Sequence, residues 1–233
     1  MWREALSNHR PLLYAFLVVL IPSSITLPLG LSNLGQLRAS LSTPWGVVTA
    51  IFVHGDFGHY LGNVAWLALL VLLFAVLSRM FDGQERRRRA SLFAWTVLVA
   101  AIVANSVFIW RFPASEGAYG ASGAVYAAIG VVVMFASFNA VHSAATLWRE
   151  RARGEHRRRA AEVTVLNLTA FFLLFLWIVI FPEGFLGVGE GSNVLGHGVA
   201  FFAALPAPIA YKFFWTSSNH GMANEESRPI RRT

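Results

Sequence analysis

The 233-residue chain is 56% hydrophobic and 13% charged, with a mean hydropathy of +0.54. Soluble domains carry about 25% charged residues, so this composition excludes a water-soluble enzyme. The absence of cysteine excludes disulfide and thiol chemistry.

In chain order, the N-terminal "MWREALSNHRP" has no apolar stretch followed by a small-residue cleavage site. It is expected not to be a removable leader, leaving the first span to act as its own insertion signal. Runs free of Asp, Glu, Lys and Arg then cover 11–37, 57–78, 90–110, 117–148, 163–182 and 191–211. Each is about 20 residues or longer, enough to cross a hydrocarbon core roughly 30 Å thick. Six membrane spans are predicted. The first connection, "LSNLGQLRASLSTPWGVVT", is long and mixed and is read as holding an interfacial helix. The fifth, "PEGFLGVGEGSN", carries four glycines and reads as a mobile flap. The expected organisation is a cytoplasmic N-terminus (1–10), one membrane domain (11–215) and a disordered polar tail (216–233).

Basic residues alternate in place. Arg3 and Arg10, Arg79 and Arg86 to Arg89, six arginines between Arg149 and Arg159, and Lys212, Arg228, Arg231 and Arg232 make 17 of the 19. Only Arg38 and Arg111 fall on the other connections. This positive-inside bias predicts that both termini are cytoplasmic. A solvated or lipid-facing cytoplasmic surface accounts for the arginine runs, with no nucleic acid as partner.

On that topology, spans two, four and six run inward, and each opens with polar groups. Span two opens with His54, His59 and Asn63 ("HGDFGHYLGN"), span four with Ser122 and Tyr126 ("GASGAVY"), and span six with His197 ("SNVLGHGVA"). All lie at one depth, just below the outer surface. Intramembrane ionisable residues are costly and face an interior or a water-filled cavity. A serine becomes a nucleophile when a base takes its proton, and His197 on a separate helix is the candidate base. Gly196, Ala200 and Ala204 form a small-residue stripe expected to pack on Gly120, Ala124 and Ala128, next to Gly123 and Ala127. Tyr126, one turn below Ser122, could hold the imidazole.

The outer acids Asp56, Glu116, Glu183 and Glu190 all lie near loops, so a Ser–His dyad is expected rather than a triad. An oxyanion needs preorganised donors. The Ser122 backbone N–H at a helix start and the i, i+4 pair His59 and Asn63 are the candidates. A metal reading of His54, Asp56 and His59 is weakened by their spacing and by Asn63, a poor ligand, so no metal and no cofactor are expected.

These residues resemble those of the rhomboid intramembrane serine proteases. The motifs are His-x4-His-x3-Asn in span two, Gly-x-Ser-Gly followed by Tyr in span four, and a histidine framed by small residues in span six. The resemblance covers about residues 11–215 and implies an all-α six-span bundle. By it, Ser122 is the nucleophile and His197 its general base. His59, Asn63 and the Ser122 amide would support the oxyanion, His54 would brace span two, and Tyr126 would stack on the imidazole. Gly120 and Gly123 would let the chain turn and let span six approach. Gly46 follows Trp45 where the family often has arginine, and Ala200 and Ala204 replace its glycines, which would space the helices slightly wider. The expected activity is peptide hydrolysis in single-span membrane proteins by a multi-pass enzyme of the cell membrane. Span five, with Phe171, Phe172, Phe175, Trp177 and Phe181, would close against span two. The competing reading is a non-enzymatic channel, transporter or inactive rhomboid-like chaperone using the same polar groups. A metal-dependent membrane hydrolase is the third.

Overall fold

The computed structural model describes residues 2–29, 35–113, 118–149, 155–182 and 193–211. The fifth connection's glycines, the tail 216–233, and Glu116, Glu183 and Glu190 lie outside them. Among the described residues the chain is helical and holds no extended strand. The helices are α1 (Trp2–Thr26), α2 (Gly46–Thr49), α3 (Phe57–Leu77), α4 (Gly83–Arg111), α5 (Ser122–Arg149), α6 (Glu155–Ile180) and α7 (Val194–Ala204). Six segments are long and apolar enough to cross a membrane, from His9–Thr26 to Val194–Tyr211. This is a multi-pass membrane protein.

Boundaries follow local chemistry. Asp56 caps α3 by accepting from the His59 amide at 2.8 Å, and Asp82 caps α4 through the Glu85 amide. Asn193 caps α7 through the Gly196 amide at 2.8 Å. Each satisfies one of the amides that a helix start leaves without a partner. Asp56 is therefore an exposed acid that also serves as a helix cap. The first uncharged run outlasts its helix. α1 gives way after Thr26 to a 3-10 turn, Leu27–Leu29, which contains Pro28. At the other end the helix begins at Trp2, ahead of the apolar segment His9–Thr26.

Helix α5 is central. Of its span, 72% is buried, against 17% for α6. The reason is side-chain size: Ala124, Ala127, Ala128, Ala136 and Ala140 are all buried, so neighbouring backbones approach closely. Between lipid-bathed helices there is no hydrophobic drive to associate, and close van der Waals contact carries the packing.

The interfacial helix expected in the first connection reduces, among the described residues, to the four-residue α2 between 3-10 turns at Gly35–Leu37 and Ala50–Phe52. The segment is tied down at both edges. Ala39 exchanges backbone hydrogen bonds with Ala118 at 3.0 and 3.1 Å. The Trp45 indole donates to the Gln36 carbonyl at 2.8 Å, Thr49 to Leu37 at 2.8 Å, and Asn105 of α4 to Val47 at 3.0 Å. Thr26 of α1 donates to the Phe52 carbonyl. Gly46 has a reason to be glycine. A Cβ there would lie 2.0 Å from the Arg38 carbonyl oxygen, so the two backbone segments touch only because it is missing.

Candidate active site

The approach to Ser122 begins with Gly120, whose φ of +109° is a conformation open to glycine. Space makes the same demand. A Cβ at this position would lie 2.8 and 2.9 Å from His59 ring atoms and 3.8 Å from Asn63 Nδ2. Gly120 thus lays the backbone ahead of the serine against both polar side chains of α3. Its amide donates to the Ala50 carbonyl at 2.8 Å, and the next amide, of Ala121, donates to His54 Nε2 at 3.4 Å.

His54 must be neutral to accept that bond, and its surroundings keep it so. Burial, and then the neighbouring His59, pull its pKa down to about 4. Its ring meets His59 edge-on at 5.2 Å and Tyr60 at 5.5 Å. His54 therefore joins the turn before Ser122 to the start of α3.

Ser122 is the first residue of α5, where free amides and the helix dipole favour negative charge. His197 lies one turn into α7, oriented by the Asn193 cap. Its Nε2 is 2.9 Å from Ser122 Oγ. Tyr126, one turn below the serine, lies flat against the imidazole, with centroids 4.2 Å apart and planes 10° from parallel. His197 and Tyr126 are both buried, and Ser122 is partly exposed. Asn63 is buried too, and its Nδ2 has no hydrogen-bond partner among the described residues. An amide donor held without a partner beside the serine's turn is costly unless something else accepts from it. His54, His59, Asn63, Gly120, Ser122, Tyr126 and His197 are thus gathered at one end of the bundle.

Two glycine assignments need correction. Gly123 does not face span six: a Cβ there would make ordinary contact, 3.5 to 3.6 Å, with Ala101 of α4. Gly196 serves its own cap, since a Cβ would lie 2.3 Å from the Asn193 side chain, and nothing lies within 4 Å of one at Gly198. The close approach of α5 and α7 falls instead at Gly130, two turns below Ser122. A Cβ there would lie 2.6 Å from the Phe201 carbonyl oxygen and 3.2 Å from Ala204 Cβ. Ala200 and Ala204 are fully buried, and the glycine opposite them offsets their methyl groups. A glycine inside a buried helix is a packing signal, and Gly130 was legible on that ground.

The aromatic residues of α6 divide. Trp177 stacks on Trp66 of α3 at 5.0 Å, and Phe171 packs on the core. Phe172, Phe175 and Phe181 are exposed on the helix surface, so closure against α3 runs through Trp177. Arg38, the arginine of the first outer loop, lies over the Tyr119 ring at 5.0 Å, beside Gly120. Sequence reasoning missed this contact. Among the described residues no group of three His, Asp or Glu side chains is placed to hold a metal ion.

Comparison with known proteins places this geometry. A model of the Rhomboid domain family matches residues 41–209, which takes in α2 to α7 and the seven residues from His54 to His197 gathered at the site. No curated protein and no solved structure matches the chain. The matched stretch covers well over half of the chain, and the protein belongs to the rhomboid family.

Proposed function

We propose that the protein is an intramembrane serine endopeptidase acting through a Ser122–His197 dyad. The observation that carries this reading is the 2.9 Å separation of His197 Nε2 and Ser122 Oγ, with the imidazole held against Tyr126. With Nε2 unprotonated, the Ser122 hydroxyl donates to it. Oγ attacks the scissile carbonyl carbon and its proton passes to Nε2. The carbonyl oxygen becomes an oxyanion, to which the Ser122 amide, Asn63 Nδ2 and His59 donate. Collapse breaks the C–N bond, and the imidazolium returns its proton to the leaving amine. Water, deprotonated by the same imidazole, then hydrolyses the acyl-enzyme.

The substrate class follows from the solvent. A transmembrane helix keeps its carbonyls paired, so a cleavable segment must unwind. Single-span proteins cut near the membrane surface, with Gly, Pro or polar residues just below a small residue at the cleavage point, fit that need. The decisive experiment is fluorophosphonate labelling together with cleavage of a reconstituted single-span substrate. Wild type is expected to label and cleave, and Ser122→Ala and His197→Ala to fold but do neither. Substantial turnover in either variant would overturn the dyad. A wild type that is folded and inert to both probes would favour a non-enzymatic member of the family.

The distribution of arginines supports cytoplasmic termini and a site facing away from the cytoplasm. The absence of native cysteine makes this simple to test. Ser42→Cys, on the exposed first connection, is expected to react with an impermeant thiol reagent added outside intact cells. Arg87→Cys is expected to react only after the cells are opened, and the reverse pattern would invert the topology.

A further inference from the structure

About 25 Å along α5 from Ser122 at helical rise, the bundle holds a second cavity, with a volume of about 300 Å³. Most of its wall is apolar, built from Phe74, Phe81, Val131, Phe135, Phe138 and Val163. The charges in it answer one another. Arg89 Nε bonds Glu85 at 2.5 Å and lies over the Phe81 ring at 3.7 Å. The Tyr211 hydroxyl donates to the other Glu85 oxygen at 2.8 Å. With Arg89 and Glu85 paired, the remaining space suits an uncharged, apolar occupant.

Next to it runs a shallower groove on α4, and the two share Leu92 and Tyr211. Among the described residues the groove is lined by Gln84, Arg87, Arg88 and Ser91, with no carboxylate. Arg87 is exposed, and Trp95 at the far end of the groove is 70% exposed, as an indole at a membrane interface is. An apolar cavity thus adjoins a cationic groove across the shared wall of Leu92 and Tyr211.

We infer that this paired feature binds one anionic phospholipid of the leaflet at that end of the bundle. An acyl chain passes Leu92 into the cavity, and the phosphate rests at Arg87 and Arg88. The dimensions exclude a helical peptide, whose diameter of about 10 Å exceeds such a space. A soluble anion would use the groove alone and leave the apolar cavity without a function. The arginines answer the negative charge of anionic headgroups.

The test uses the full chain in detergent, given equal phosphatidylglycerol and phosphatidylcholine, with retained lipid counted by native mass spectrometry. Wild type is expected to keep one phospholipid and to prefer phosphatidylglycerol by about threefold or more. The double variant Arg87→Gln, Arg88→Gln should keep a lipid with the preference gone. Val163→Phe, which narrows the cavity, should retain less of both lipids, and Leu92→Trp serves if that variant does not fold. Glycerol phosphate and oleate, offered separately, should each be held less well than phosphatidylglycerol. Indifference of wild type to headgroup, a preference that survives in the double variant, or full retention in the folded cavity variant would each overturn the assignment. Oleate held as well as phosphatidylglycerol would also overturn it.

Discussion

Asn63 and Asn167 are both buried, at opposite ends of the bundle, and the fold treats their amides in opposite ways. At the Ser122 end, Asn63 Nδ2 has no partner among the described residues. At the other end, Asn167 Nδ2 donates to the Val163 carbonyl at 2.9 Å, and its Oδ1 accepts from Asn139 at 3.3 Å. Asn139 Oδ1 in turn accepts from Arg89, and alongside it Thr164 donates to Ser143 at 2.8 Å. A satisfied network ties α4, α5 and α6 together, whereas an open donor is stored beside the candidate nucleophile. Buried polarity alone does not mark a functional residue. Buried polarity left unsatisfied, next to a reactive pair, is the sharper sign.

This contrast can be broken by exchanging the outcomes. The largest effect is expected at Asn63→Ala. Loss of one oxyanion donor costs about 2.7–4 kcal/mol of transition-state stabilisation, roughly 10²–10³ in kcat. Thermal stability should be unchanged or raised, because an orphaned buried amide has been removed. An unchanged kcat with a raised KM would make Asn63 a substrate-binding residue instead.

Asn167→Ala should do the reverse. It leaves Asn139 Nδ2 without its acceptor and is expected to lower stability by about 1–2 kcal/mol. The rate per folded molecule should stay within about twofold, since the change lies far below the transition-state terms above. A large fall in kcat with unchanged unfolding would erase the distinction between the two ends.

The smallest effect is expected from His54 and is a matter of pH. Its folded pKa of about 4 lies below the ordinary 6.5, so between those values the unfolded chain binds the extra proton. Stability therefore rises with pH across that window, is fully present above about 6.5, and is lost as pH falls toward 4. Between pH 7 and 6 the loss is under about 1 kcal/mol. His54→Gln keeps an acceptor for the Ala121 amide but does not titrate. It should flatten the pH dependence of thermal unfolding in this window, and an unaltered slope would assign it to other groups.

What the sequence alone determined is whatever the solvent and local stereochemistry dictate. Uncharged runs of span length must be helices, because lipid offers no partner for the backbone. Gly-x-Ser-Gly at a helix start marks a tight turn, and i, i+4 spacing places His59 and Asn63 on one side of α3 whatever surrounds them. Residue types at one depth were enough to gather the histidines, the asparagine and the serine. Only the tertiary structure decided how each helix is rotated about its own axis. Rotation turned Gly123 toward Ala101 and made Gly130 the point of contact with α7. It also sent Phe172 and Phe175 outward while Trp177 met Trp66. A uniformly apolar helix carries little amphipathic signal of which face is inside, since lipid and protein interior are nearly equivalent to it. The choice falls to the fit of small residues against neighbouring backbones, which comes into being only when the helices meet.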